Sequence, residues 1–152
     1  MQVYADNAAT TAMSRTAIDA MLPYLDNIYG NPSSLYRFGV LSRRAVEQAR
    51  AQVAQAIHAE PMEILFTGCG SESDNWIKSI LHTQAKKGKR HLITTVIEHH
   101  ALLHTAARLE KEGFDVTYLP VDEYGMISAE AVRQAIRPDT ALVSVMFANN
   151  EI

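Results

Sequence analysis

The chain has 152 residues, a formal charge of −3 with both signs interspersed, and apolar and charged fractions of 47% and 20%, the make-up of one ordinary globular domain with a core. That balance gives no electrostatic footprint for nucleic acid, and no apolar run reaches bilayer-spanning length, so neither nucleic acid nor membrane is expected as a partner. A single cysteine, Cys69, excludes an internal disulfide framework and, with no basic-then-apolar leader, points to the cytoplasm.

Residues 1–40 differ in character from the rest of the chain. Val3-Tyr4 is a short extended piece leading into Asp6-Asn7-Ala8-Ala9-Thr10-Thr11. A helix then starts at Ser14, carries Ile18, Met21, Leu22 and Leu25 on one face and is expected to kink at Pro23. Gly30-Asn31-Pro32-Ser33-Ser34 is a loop by its composition. From about Leu41 to His58 the period predicts a longer helix, with Val46, Ala49, Val53 and Ile57 inward and Arg43, Arg44, Glu47, Gln48 and Arg50 outward.

From Ile64 onward the pattern alternates between strand and helix. Apolar runs at 64–66, 92–96, 116–119 and 141–147 are short and rich in branched or aromatic residues, as strands buried on both faces should be. Between them, 71–87 places Trp76, Ile77, Ile80 and Leu81 on one face, all expected in the core. The next helix, 101–111, places Leu102, Ala106 and Leu109 inward and stops at Gly113. Ser128 caps a third, reaching Ile136. Lys86, Lys87, Lys89 and Arg90 form a solvated helix end. The alternation predicts an α/β fold with a mainly parallel sheet and flanking helices, whose ligand sites lie at the carboxyl ends of strands. The last residues, Asn149-Asn150-Glu151-Ile152, come directly after an apolar strand, which reads as a cut rather than an end.

The chemistry-bearing stretch is 66–75, Phe-Thr-Gly-Cys-Gly-Ser-Glu-Ser-Asp-Asn, a strand end running through small residues into a helix. Gly68 and Gly70 let backbone approach a ligand, the amides after Ser71 lack intrahelical partners, and Ser71 adds a hydroxyl, so the loop can hold a phosphate. It is neither a Walker A loop nor a dinucleotide fingerprint, and by itself it reads equally as a turn and cap. Asp74 and Asn75 read as early helix residues meeting the dipole or their neighbours. Cys69 reads as a small packed residue. His100 and His104 have the spacing of two ligands on one helix face but lack the intervening glutamate of a His-Glu-x-x-His site, so no metal is expected. His99 alone would be an ordinary histidine, and Asn149-Asn150 a turn pair.

Five segments taken together resemble the cysteine desulfurases of the NifS/IscS type, class-V aminotransferase-like enzymes that use pyridoxal 5'-phosphate: Tyr4 with 5–11, Gly30-Asn31-Pro32-Ser33-Ser34, 66–75, Glu98-His99 with Ala101, and Asn149-Asn150-Glu151. The resemblance covers the whole chain and leans toward the NifS branch through its phosphate loop, Ile93-Thr94-Thr95 and 143–146. It implies the first half of the large cofactor domain of an aspartate aminotransferase-like fold, with 1–40 as an N-terminal segment carrying active-site loops and 41–152 as a partial pyridoxal-phosphate domain. It implies that Gly70 and Ser71 bind the cofactor phosphate, Ser71 standing where the family usually has threonine. His99 is implied to stack on the cofactor ring and help move protons, and Asn150 to meet its phenolic oxygen. Tyr36 departs from a histidine common after the Gly-Asn-Pro-Ser-Ser loop.

The activity implied is removal of sulfur from L-cysteine, giving L-alanine and an enzyme persulfide for iron–sulfur cluster assembly. A sulfur-acceptor or scaffold protein is the implied partner and a homodimer the implied state. The family's Schiff-base lysine and nucleophilic cysteine are expected beyond this chain, which alone is expected to be inactive. The rival readings are a selenocysteine lyase, a small-molecule aminotransferase, or a non-catalytic truncated binding protein.

Overall fold

The computed structural model describes residues 2–152 and divides the chain into two compact units, Met1–Phe66 and Thr67–Ile152.

In the first unit, helix α1 spans Arg15–Asp26 and helix α2 spans Arg37–Ala56, with a 3₁₀ turn after it at Pro61–Glu63. Ser14 caps α1 as its sequence predicts, its hydroxyl accepting from Ala17 N at 3.2 Å. The helix continues through Pro23 to Asp26.

Helix α2 begins a full turn earlier than its apolar period suggests, because its first turn interlocks with the preceding loop. A Cβ on Gly39 would stand 2.5 Å from the carbonyl oxygens of Asn31 and Ser34, and one on Gly30 would stand 2.5 Å from Phe38 C and O. Glycine there is a packing requirement, not a helix breaker.

The expected inward face of α2 is not covered. Its buried residues are Gly39, Ser42 and Ala54, while Val53 is 41% exposed. Val46 and Ala49 instead line an open cavity of about 660 Å³ with Ala20, Tyr24 and Tyr29. No residue of α1 is buried either. Arg50 donates to the Ile64 carbonyl and stacks 5.0 Å over the Phe66 ring. Residues 64–66 belong to no strand, contrary to what their composition suggests.

In the second unit the order is α3 (Gly70–Ala85), β1 (His91–Thr95), α4 (His100–Lys111), β2 (Asp115–Leu119), α5 (Ala129–Ala135) and β3 (Thr140–Val143). The strands form a parallel sheet in the order β2-β1-β3, with His91 paired to Asp115 on one side and to Thr140 on the other. All of β1 is buried, as a central parallel strand should be. The core joins Ile77 and Leu81 of α3, Leu92 of β1, and Leu102, Ala106 and Leu109 of α4. Trp76, 41% exposed, and Ile80 leave the core expected of them, because each sits about 100° around the helix from the buried residue after it.

Gly113 ends α4 with φ +83°, and Ser128 caps α5, accepting from Ala131 N at 3.1 Å. Arg90 is not merely solvated: it lies 4.5 Å over the Phe114 ring and donates to the Gly113 and Glu112 carbonyls. β3 stops four residues short of the predicted strand end, and after Ser144 N bonds Ile93 O at 2.9 Å the chain leaves the ladder.

Candidate active site

The β2-β1-β3 order means that the chain leaves β1 toward one sheet edge and returns to the other side of β1 as β3. The carboxyl ends of β1 and β3 thus flank a topological switch point, where open α/β sheets hold their ligands. A cavity of about 190 Å³ lies there, its lining including Glu98, His99, His100, Met146, Asn149 and Asn150.

His99 is the N-cap of α4, and its Nδ1 accepts from Ala101 N at 3.1 Å. That bond requires Nδ1 to be unprotonated, so the neutral ring carries its proton on Nε2. Asn149 makes the turn that presents Asn150: its Nδ2 donates to Ile97 O at 2.7 Å, and its Oδ1 accepts from Glu151 N at 2.6 Å. Glu98, 7% exposed, accepts through Oε1 from Thr95 Oγ1 at 2.8 Å and from Met146 N at 2.9 Å.

The structure therefore brings His99 and Asn150 to one cavity, and it adds Glu98 and Asn149 as the side chains that tie their segments together. Sequence reasoning gives Glu98 no role. The available signal is an acidic residue between the end of an apolar strand and a helix cap, a position where a carboxylate is buried only with hydrogen-bond donors.

Gly70 and Ser71 are absent from that cavity's lining and open α3 instead. Unlike α1, α4 and α5, α3 has no side-chain cap, its N-cap Cys69 being fully extended. A Cβ on Gly70 would meet nothing within 4 Å, so there is open space beside the first turn of α3, whose leading amides have no intrahelical acceptor. Gly68 does not share that freedom. Its amide donates to Glu72 Oε2 at 2.6 Å, so a carboxylate of the chain already holds that position.

Thr67 and Ser73 hydroxyls, 2.6 Å apart, close the loop further. Asn75 anchors it from behind, with Nδ2 donating to Ser71 O at 2.7 Å and Oδ1 accepting from Thr105 of α4 at 3.1 Å. Cys69 is exposed, contrary to the packed residue expected, because the extended N-cap backbone carries it out of the helix.

In the first unit, 6–11 is a turn in which Ala9 N bonds Asp6 O at 3.2 Å and Tyr4 OH donates to Asp6 O at 2.9 Å. In the 30–34 loop, Asn31 Oδ1 accepts from Ser33 N at 2.9 Å. Tyr36 is the exposed N-cap of α2. In the second unit, the rings of His100 and His104 stack with centroids 5.6 Å apart. Among the described residues no group of three or more His, Cys, Asp or Glu could hold a metal ion. No helix among them is long and apolar enough to cross a membrane.

A sequence model of the family described as aminotransferase class-V matches residues 3–152. A relative named cysteine desulfurase IscS, from Methanosarcina thermophila, is 56% identical over 151 residues, covering 99% of this chain and 37% of the relative. One of the same name from Clostridium botulinum is 57% identical over 152 residues, covering 99% of this chain and 38% of its own. The chain thus spans well under half the length of these relatives. Among solved structures, a NifS-like protein superposes with a TM-score of 0.88 at 42% identity, covering 99% of this chain and 42% of that one. SspA in complex with cysteine gives 0.86 at 39% identity, covering 97% and 42%. The curated relatives carry the name IscS and the solved neighbour the name NifS-like, so both names of the type occur among the chain's relatives.

Proposed function

The chain belongs to the aminotransferase class-V family, and from that premise we propose that it forms the N-terminal part of a pyridoxal-phosphate-dependent cysteine desulfurase. The whole protein would remove sulfur from L-cysteine, leaving L-alanine and a persulfide on an enzyme cysteine, and pass the sulfur to an acceptor or scaffold protein of iron–sulfur assembly. Identity of 56% over the chain to a relative of that name supports this reading. The single observation that carries it is that His99 and Asn150, 51 positions apart in sequence, line one cavity at the carboxyl ends of adjacent parallel strands.

The residues present fit the cofactor. The uncapped N-terminus of α3, with open space over Gly70, suits a phosphate dianion, which the first-turn amides and the Ser71 hydroxyl would bind. When bound, pyridoxal phosphate supplies an electron sink next to the substrate's amino-bearing carbon. With Nδ1 engaged by the Ala101 amide, His99 would have Nε2 left to hold or move a proton beside the bound cofactor. The Asn150 carboxamide, placed by Asn149, would orient the ring through its phenolic oxygen.

The lysine that anchors the cofactor and the thiol that receives sulfur belong, on this reading, to other parts of the whole protein, so the 152 residues alone would be inactive. The division into a segment at 1–40 and a partial cofactor domain at 41–152, the homodimer and a cytoplasmic setting belong to the same proposal.

The test is alanine and sulfide release from L-cysteine by the whole protein, with visible absorbance reporting cofactor content. Turnover that needs added pyridoxal phosphate is the expected result. Cofactor-loaded protein that releases no alanine from cysteine would refute the proposal.

A further inference from the structure

We propose that Glu98 is a positioning residue, whose carboxylate sets the spacing of His99 and Asn150 across the cavity; this rests on the desulfurase reading above. The sheet alone cannot fix that spacing. Its ladder ends with Ser144 N on Ile93 O and Val96 N on Leu119 O, before either residue is reached. Beyond that point Met146 N donates to Glu98 Oε1 at 2.9 Å and Asn149 Nδ2 to Ile97 O at 2.7 Å, and these bonds join the segment after β1 to the segment after β3. His99 is the residue after Glu98, and Asn150 the residue after Asn149. Each is held one residue beyond a tie.

Glu98 has the greater leverage because the same oxygen also accepts from Thr95 Oγ1 at 2.8 Å, fastening the tie to the last residue of β1. Buried at 7% exposure, it cannot be replaced by bulk water. An alanine there leaves the Met146 amide without its acceptor and frees the segment leading to Asn150. A glutamine keeps a carbonyl oxygen where both bonds are accepted, so acceptance, not charge, is what this position supplies.

The experiment compares Glu98→Ala, Glu98→Gln, His99→Ala and the Glu98→Ala/His99→Ala double variant in the whole protein. Hydrogen exchange is read first, without cofactor. Glu98→Ala should speed exchange in 96–101 and 145–151 while 91–95 and 115–119 keep their protection, and Glu98→Gln should restore it.

With cofactor and L-cysteine, Glu98→Ala should lower kcat by about tenfold or more with KM changed by less than about twofold, and Glu98→Gln should recover most of the loss. In the His99→Ala background Glu98→Ala should cost less than it does in the wild type, since one end of the spacing that it sets is already gone. Unchanged exchange in both segments, or the same kcat penalty with and without His99, overturns the proposal. A wild-type protein that loads cofactor but forms no alanine overturns the desulfurase reading and this role with it. Alanine formation with additive penalties overturns the role alone.

Discussion

The imidazole of His91 sits between two threonines, its Nε2 2.8 Å from Thr117 Oγ1 in β2 and its Nδ1 2.8 Å from Thr140 Oγ1 in β3. The residue is fully buried at the start of the central strand. Both hydroxyls can donate or accept, so the bonds survive either charge state of the ring.

Burial therefore dominates its titration, and with the nearby Arg137 guanidinium it holds the His91 pKa below the ordinary 6.5. A depressed histidine pKa means that the unfolded chain binds more protons as pH falls through 6.5. Stability should be level above that value and decline below it toward the folded pKa, at no more than about 1.4 kcal/mol per pH unit. Urea unfolding at stepped pH would measure this. His91→Leu should remove that slope, and a slope unchanged in the variant would refute the assignment.

Glu112 responds to acid in a different window. Its carboxylate meets Lys78 Nζ at 2.8 Å, His82 Nε2 at 2.8 Å and Arg108 Nε at 3.1 Å. Led by Lys78, these partners draw its pKa from 4.5 down to about 2. The stabilisation is thus full above 4.5 and is lost as pH falls toward 2. Glu112→Gln should flatten the acid-unfolding profile across that interval and leave the His91 interval unchanged. High salt should shrink the difference, because the pair groups are open to solvent.

The interlocked glycines make a stability prediction. Gly39→Ala gains helix propensity of up to about 1 kcal/mol, yet its Cβ would stand 2.5 Å from two carbonyl oxygens. Backbone oxygens cannot rotate away, so the strain should win, at about 1 to 3 kcal/mol of net destabilisation. Denaturant midpoints of the variant and the wild type decide it, and a midpoint equal to or above wild type would show that the loop yields.

In the cofactor-loaded whole protein, Ser71→Ala with Gly70→Val should weaken retention first, while His99→Ala should damage turnover more than retention. The space over Gly70 is open, so valine there obstructs an incoming phosphate without disturbing the chain's own packing. Losing one charge-assisted hydrogen bond costs about 1.5 to 3 kcal/mol. Absorbance after dialysis reports retention, and alanine formation with excess cofactor reports turnover. If His99→Ala lost cofactor on dialysis and recovered full turnover when resupplied, the assigned roles would be reversed.

Legibility in the sequence depends on the range of the interaction involved. Ser14, Ser128 and Gly113 announce helix ends through bonds or dihedrals within a few residues, and all three do so here. The α/β alternation is likewise local, and it leads to the parallel sheet. The start of α2 is hidden because Gly39 answers to Asn31 and Ser34, not to its own helix. Residues 64–66 have strand-like composition but find Arg50 in place of a neighbouring strand. Glu98 bonds an amide 48 residues away, a distance that no periodicity reports. The expectation for Cys69 rests on the average behaviour of cysteine, whereas its exposure comes from one extended backbone position.

The strand order also sets a timetable for assembly. His91 meets Thr117 across 26 residues of chain but meets Thr140 across 49, so the β1–α4–β2 closure spans the shorter loop. Shorter loops close at lower entropic cost, and that pairing should form before β3 docks. The pocket shared by His99 and Asn150 would then come into being with the last strand, and a nascent chain would lack it until β3 had arrived. Mutations in β3 should speed unfolding while leaving the refolding rate nearly unchanged, and those in β1 should slow refolding; stopped-flow rates showing the reverse order would place the pocket early.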